Sequence, residues 1–472
     1  MELLNSIVSS INSFLWTYII ITLLVVAGFY FTFRLRFVQL RYFTIMFSLI
    51  VSSVNTKTRG NEISPFQAFC VSTASRVGVG NIAGIAIAIT TGGPGAIFWM
   101  WFIAIIGSAT GFVESTLAQI YKKRADDGSS YGGPAYYIQA VLKKRWIGIL
   151  FAVVLIVTYM GGFNMVAAFN IADTFKAYSF YDASMTPKIV GGVLAIAFLI
   201  CIFGGGKQIS KVTGVLVPVM GVFYIAVSLF IVITHINLVP GMIADIVKGA
   251  FDFKAIFGGF AGSAIMQGIK RGLFSNEAGV GSAPNAAASA GVSHPAKQGL
   301  VQMLSVYIDT IVICTATAFM LLCSGVEPSK EIAGMSYVQA AVANSLGGFG
   351  TIFITVALCL FAFTTLIGNF YYAEMGLGYI CNKTPGSTLI HAFRILAAVI
   401  VCFGATMEFS VAWDTADVLM GLMAIINLPV IILLAKPAIL CMDDYIKQKR
   451  AGKNPVFKAA DINLEDDTDF WK

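Results

Sequence analysis

Eleven continuous apolar runs, separated by short charged or glycine-rich loops, constrain this 472-residue chain more than any motif does. They fall at about 13–33, 63–90, 95–120, 147–172, 188–204, 210–234, 254–290, 298–323, 349–378, 388–406 and 412–435. A helix needs about 20 predominantly apolar residues to cross a bilayer, and most of the runs reach that length. Composition agrees: 57% of residues are hydrophobic and 12% charged, with a mean hydropathy of +0.82. Ordinary soluble domains carry about 25% charge, so a soluble globule is excluded. The strands of a membrane barrel would read as short alternating segments, and none is visible. The expected class is an all-α integral membrane protein with eleven transmembrane helices.

Charge placement sets the expected orientation. The net charge of +7 could suggest nucleic acid, yet the basic residues sit in short loops between spans. Segments 34–60, 121–146, 205–211, 291–297, 379–387 and 436–472 hold 22 of the 31 Lys and Arg, and the loops on the other side hold 5. By the positive-inside rule the first group is cytoplasmic. This predicts a protein of the cytoplasmic membrane with its N-terminus outside and its C-terminus inside, whose surroundings are lipid and not nucleic acid. Residues 1–33 lack a basic leader and a small-residue cleavage site, so they read as a retained helix. The eight cysteines form no CxxC pair and are expected as buried free thiols.

Four regions follow. Residues 1–60 hold a peripheral span and an interfacial amphipathic stretch at 37–53. Residues 61–236 and 237–436 each hold five spans, and because one set starts inside and the other outside, their topologies are opposed. Residues 437–472 read as a solvated, partly disordered tail. Each half opens on an interrupted span, GVGNIAG in the first and GIKRGLFSNEAGVGSAPN in the second. Paired interruptions in inverted halves point to a transporter site at the bilayer midplane.

In the first interruption Gly78 and Gly80 flank Val79 just before Asn81. Unwinding there frees amide N–H groups, which suit a carboxylate. The same glycines also read as close helix packing through Gly80 and Gly84. The second interruption carries Gln267, Gly268, Lys270, Arg271, Asn276 and Glu277, a polar density that is costly in lipid unless it faces a cavity or a partner. Gln267 and the backbone at Gly268 could accept from an ammonium, and Glu277 reads as an ion-pair or gating residue. The alternative is that Lys270 to Glu277 form a solvated loop at the cytoplasmic mouth. In FAFTTLIGNFYYAE, Thr364 and Thr365 are adjacent hydroxyls, hard oxygens of the kind alkali cations take. Each could equally bond the carbonyl one turn back. Asn369 lies one turn beyond Thr365 on the same face. Arg76, Glu114, Asp309, Glu374 and Asp414 are ionisable residues inside spans, each a functional candidate or a structural ion pair. No nucleophile set, metal-ligand pattern or strand-flanked glycine motif points to an enzyme or a nucleotide site.

Together, SPFQAF, SRVGVGNIAG, GGPGAIFWMW, ESTLAQIY, YGGPAYY, RGLFSNEAGVGSAPNAAA, HPAKQGLVQML, YIDT and FAFTT…GNFYYAE cover about residues 60–380. The set resembles the alanine or glycine:cation symporter family. That resemblance implies a LeuT-type fold, a peripheral helix plus a five-plus-five inverted-repeat core with core helices 1 and 6 broken. It implies sodium-coupled symport of small neutral amino acids by a monomer, with no organic cofactor. It implies that the substrate carboxylate meets Gly78, Val79, Gly80 and Asn81, and that the ammonium meets Gln267 and Gly268 with Asn276 nearby. Sodium would sit between Ala74, Val77, Thr364 and Thr365, and Phe163 or Phe169 would cover the ligand side chain. Many members of the family carry Trp where this chain has Asn369. The smaller amide implies a roomier, more polar pocket reaching Thr365 and Asn369, which makes glutamine a candidate beside alanine and glycine. A passive channel lacks a visible filter loop or charged ring. Arg76, beside the first break, would repel a second cation, which predicts one sodium per cycle. Titration of Glu114 or Asp309 leaves proton coupling open.

Overall fold

The computed structural model describes all residues except 1, 55–61, 126–127, 253–258, 260–262, 330–331, 383–384, 466–467 and 472. In chain order the principal helices are α1 (Ser6–Arg34), α2 (Phe43–Ser53), α3 (Pro65–Arg76), α4 (Gly80–Gly92), α5 (Ala96–Ile120), α6 (Arg145–Ala177), α7 (Thr186–Ile202) and α8 (Gly205–Thr234). They continue with α9 (Val239–Ala250), α10 (Ala264–Asn276), α11 (Ala283–Ala288), α12 (Pro295–Leu322), α13 (Met335–Leu346), α14 (Gly348–Cys381), α15 (Ser387–Gly404), α16 (Phe409–Leu433) and α17 (Ala435–Arg450).

Eight of these helices are long and apolar enough to cross a membrane, nine when the bent pair α3 and α4 counts as one span. The other two expected spans are α7, 17 residues long, and the stretch 254–290, part of which lies outside the described residues. The surface is turned inside out relative to a soluble protein. Ile189, Val193, Ile196 and Ile200 make an exposed apolar stripe on α7, and Val215, Val219, Val222, Phe223 and Phe230 make one on α8. Arg76, Glu114, Glu277 and Asp309 are meanwhile buried, as expected where lipid is the solvent.

Local chemistry sets the two interrupted segments. Ser64 caps α3 in a capping box with Gln67 (3.1 and 2.9 Å), with Pro65 at the first helical position. The helix ends where Val77 turns extended, and α4 departs at 53° to it. In the second half Ser263 caps α10. This helix ends at Glu277, a non-glycine residue at φ 54°, followed by Gly279 at φ 95° and Gly281 at φ 88°, a run only glycine-rich sequence can follow. The helix is continuous through Gln267 and Gly268, so the break falls at 277–282, in the second part of the expected interruption GIKRGLFSNEAGVGSAPN. Gly268 lies in a helix because α5 presses on it: a Cβ there would meet the Ala96 carbonyl oxygen at 2.3 Å.

Two further differences concern the ends. Lys270, Arg271, Asn276 and Glu277 are all buried, which removes the solvated-loop alternative. The tail is packed as well: α17 lies against α5 and α12, and Phe457, Ala459, Ile462 and Trp471 are buried beyond it. Helices α9 and α13 were not anticipated, because their buried faces, Met242, Ile246 and Ala250 in α9, are too short to register as apolar runs.

Candidate functional site

The first break lies against α14. A Cβ at Gly78 would sit 2.0 Å from Thr365 Oγ1, so glycine is required for this approach. Thr365 Oγ1 lies 3.1 Å from the Ala74 carbonyl and 3.1 Å from the Phe361 carbonyl. With a single proton to donate it serves one at a time, so hard oxygens with spare lone pairs converge there. Thr364 faces elsewhere: it donates to Phe361 O at 2.8 Å and approaches Met220 Sδ on α8 at 3.8 Å. The expected hydroxyl pair is therefore divided, and only Thr365 reaches the break.

Asn81 organises the other side of the break. Its Oδ1 accepts from Gly78 N–H at 3.0 Å, while its Nδ2 donates to Asp309 Oδ1 at 2.8 Å and to Ser275 Oγ at 3.2 Å. Asp309 also accepts from Ser275 Oγ, and from Thr310 Oγ1 at 3.1 Å. The π-helical segments Gly80–Gly84, Val157–Phe163 and Tyr307–Cys314 place Asn81, Phe163 and Asp309 around this centre. Such widened turns leave ladder carbonyls unmatched and recur at functional sites.

The second break has its own partners. Glu114 on α5 accepts from Gly279 N–H at 3.3 Å and from Asn427 Nδ2 at 3.0 Å, and Asn427 also donates to Gly279 O at 3.0 Å. Ser282 Oγ donates to Glu277 Oε2 at 2.5 Å. Asn276 Oδ1 accepts from Ala278 N–H at 3.0 Å, and its Nδ2 donates to Thr310 at 3.2 Å. Asn276 thus shapes the turn. These side chains substitute for the helical bonds that unwinding removes in a low-dielectric interior.

A narrow cavity with room for about one water molecule lies between the breaks. Of the candidate site residues, Val79, Gly80, Phe163 and Thr365 line it, together with Ser75, Arg76, Phe274 and Glu277. Phe274, with no polar handle, carried no sequence signal. Asn369 does not line it: the amide accepts from Ser75 Oγ at 2.6 Å and donates to Asn164 Oδ1 at 2.9 Å, clamping α3, α6 and α14 together. Phe169 packs toward Phe409 at 6.1 Å. Gln267 lies against Gly92 and Gly268 against α5, both away from the cavity lining. Arg76 donates to Ser305, while its Nε and Nη2 have no partner among the described residues.

An aromatic stack closes one side. Phe163 and Phe274 lie 4.8 Å apart and Phe274 and Trp413 5.0 Å, with Arg271 over Trp413 at 5.0 Å. Behind the stack, Asp417 on α16 pairs with Arg271 and, at 2.7 Å, with Lys270.

Two helical segments that end at turns, at Val77 and at Glu277, face each other across a small cavity inside an apolar bundle, an arrangement of the kind that membrane transporters use. The fold comparison agrees. The chain is similar to a crystal structure of MhsT in complex with L-phenylalanine, with a TM-score of 0.51, 13% identity, 87% of this chain and 94% of that one covered. It is also similar to a manganese transporter of Eremococcus coleocola, with a TM-score of 0.50, 14% identity and 85% of each chain covered. These likenesses are of overall fold. More particularly, the model of the sodium:alanine symporter family matches residues 1–459, and the chain belongs to that family. It is 46% identical to the probable sodium/glutamine symporter GlnT of Bacillus subtilis over 100% of this chain and 96% of that protein. It is 39% identical to the sodium/alanine symporter AgcS of Methanococcus maripaludis over 91% of this chain and 94% of that protein.

Proposed function

We propose that the protein is a sodium-coupled symporter that imports small neutral amino acids by alternating access. In this reading a peripheral helix flanks a core of ten spans, residues 61–236 and 237–436 forming the inverted halves. The protein works as a monomer in the cytoplasmic membrane with its C-terminus inside. The observation that carries it is the convergence at Gly78, where the helix ends and the Thr365 hydroxyl lies within hydrogen-bond range of both the Ala74 and the Phe361 carbonyl. Sodium as cargo would take Thr365 and the carbonyls of Ala74 and Phe361, with Val77 adjoining. The substrate carboxylate would take the backbone at Val79 and Gly80. Its ammonium would face Glu277 across the cavity, a role moved from Gln267 and Gly268 because those residues lie inside an unbroken helix. The cavity is too narrow for an amino acid until Phe163 and Phe274 part, so the stack acts as a lid.

Alanine and glycine are the leading substrates, and glutamine is the alternative. One observation favours glutamine: the name of the B. subtilis relative. If one site carries both, excess unlabelled glutamine is expected to lower uptake of labelled alanine about tenfold or more, since a pocket discriminates by about 1–3 kcal/mol per missing or excess group. Alanine uptake unchanged by excess glutamine would reject the alternative.

A further inference from the structure

Residues beyond α17 return to the bundle and bind the place where the two broken segments come together. Ile63, just before α3, pairs with Ala290, just after α11, and Gly291 N–H donates to Ile63 O at 3.0 Å. Lys122, at the end of α5, locks this joint: its ammonium donates to Ala290 O at 3.0 Å and lies 3.8 Å from Glu62. Gln119 Nε2, one turn earlier, donates to the same Ala290 carbonyl at 2.8 Å. The first half thus contributes the chain that enters α3 and the second the chain that leaves α11, each at the end of its broken segment away from the break, and Lys122 spans both.

The tail covers that joint. The Phe470 ring lies 4.0 Å and the Trp471 ring 5.2 Å from the Lys122 ammonium, whose side chain is wholly buried. Trp471 Nε1 donates to Gln119 O at 2.7 Å. Phe457 N–H donates to Ser293 O at 2.9 Å, and Ser293 Oγ donates to Pro455 O at 2.9 Å. Ala459 N–H donates to Trp471 O at 3.1 Å, closing the segment on itself. Burial pulls the pKa of Lys122 down to about 8 against the opposing pull of Glu62. Its charge is therefore held by the carboxylate, the carbonyls and the aromatic faces instead of water.

We propose that the tail, through its described residues 454–465 and 468–471, forms a strap that holds this end of the bundle shut and must lift before cargo can leave by it. The proposal rests on the alternating-access reading above. Parting Ile63 from Ala290 would expose Lys122, and the strap opposes that by keeping its two rings over the ammonium and its backbone on Ser293.

Deletion of residues 454–472 and, separately, Trp471→Ala test this in the full-length transporter reconstituted in proteoliposomes. Both are expected to speed efflux of preloaded labelled alanine about three- to thirtyfold, the range that loss of one cation–π contact gives between exposed and desolvated settings. Trp471→Phe, which keeps a ring, is expected to stay within about twofold. As a readout that needs no transport, Ile63→Cys should react with maleimide faster by a similar factor in the Trp471→Ala background. Efflux and labelling unchanged or slowed in Trp471→Ala would overturn the strap, whether or not the deletion folds. Absence of sodium-driven uptake by the unaltered chain would instead count against the transport reading, and the labelling arm would still judge the strap.

Discussion

Thr365→Val is expected to reduce sodium-driven accumulation about tenfold or more, while Thr364→Val stays within about twofold of the unaltered protein. Valine matches threonine in shape, so the exchange removes the hydroxyl and little else. That hydroxyl is the one side-chain oxygen poised between Ala74 O and Phe361 O at the first break. A hard oxygen contributes about 1.5–3 kcal/mol when it meets a charge, and about 1.4 kcal/mol already corresponds to tenfold in an equilibrium constant. Thr364 turns to Phe361 O and Met220 on the side of α8, so its loss touches packing and not the cation. The measurement is initial uptake against sodium concentration for both variants. Equal sensitivity of the two positions would place the cation elsewhere.

The second large effect concerns Asp417. It is 1% exposed and is the carboxylate shared by Lys270 and Arg271. Asp417→Asn leaves two buried cations without their counter-charge, a change that costs about 3–5 kcal/mol when one partner of a buried pair is lost. The expected result is a clear drop in the thermal unfolding midpoint of the detergent-solubilised protein, together with loss of uptake, because Arg271 no longer steadies Phe274 and Trp413. The triple variant Lys270→Met, Arg271→Met, Asp417→Leu should recover most of the lost stability, since apolar replacement of a buried ionic cluster is often neutral or better. It should not recover normal uptake. A midpoint for Asp417→Asn equal to that of the parent would show that the pairings carry no energy.

What could be read in advance depended on whether the cause was local. The break at Gly78 was legible because two glycines flank one residue inside an apolar run, a signal written in adjacent positions. Within the second interruption Gly268 and Gly272 look the same in sequence as break glycines. They are small because α5 crosses them, against Ala96 and Ile103. The glycines that bend the chain are Gly279 and Gly281, whose positive φ the sequence does not announce. Thr364 and Thr365 read as a pair because they are adjacent in sequence, yet neighbours point about 100° apart on a helix, and only the positions of α3 and α8 decide which one reaches the first break. Asn369 was assigned to the pocket by its face, yet Ser75 and Asn164, far away in the chain, claim its amide. The packed tail escaped notice for a similar reason: Phe457 and Trp471 are isolated anchors in an acidic segment, and their partners Ser293, Gln119 and Lys122 come from other regions.

The most direct test of sodium-coupled symport is uptake of labelled alanine, glycine and glutamine by the purified protein in proteoliposomes, with an inward sodium gradient and with potassium in its place. The account predicts accumulation above the external concentration for at least one of the three, only when the sodium gradient is present and lost when that gradient is collapsed. Equal, gradient-independent equilibration of the amino acids would describe a passive pore and contradict it.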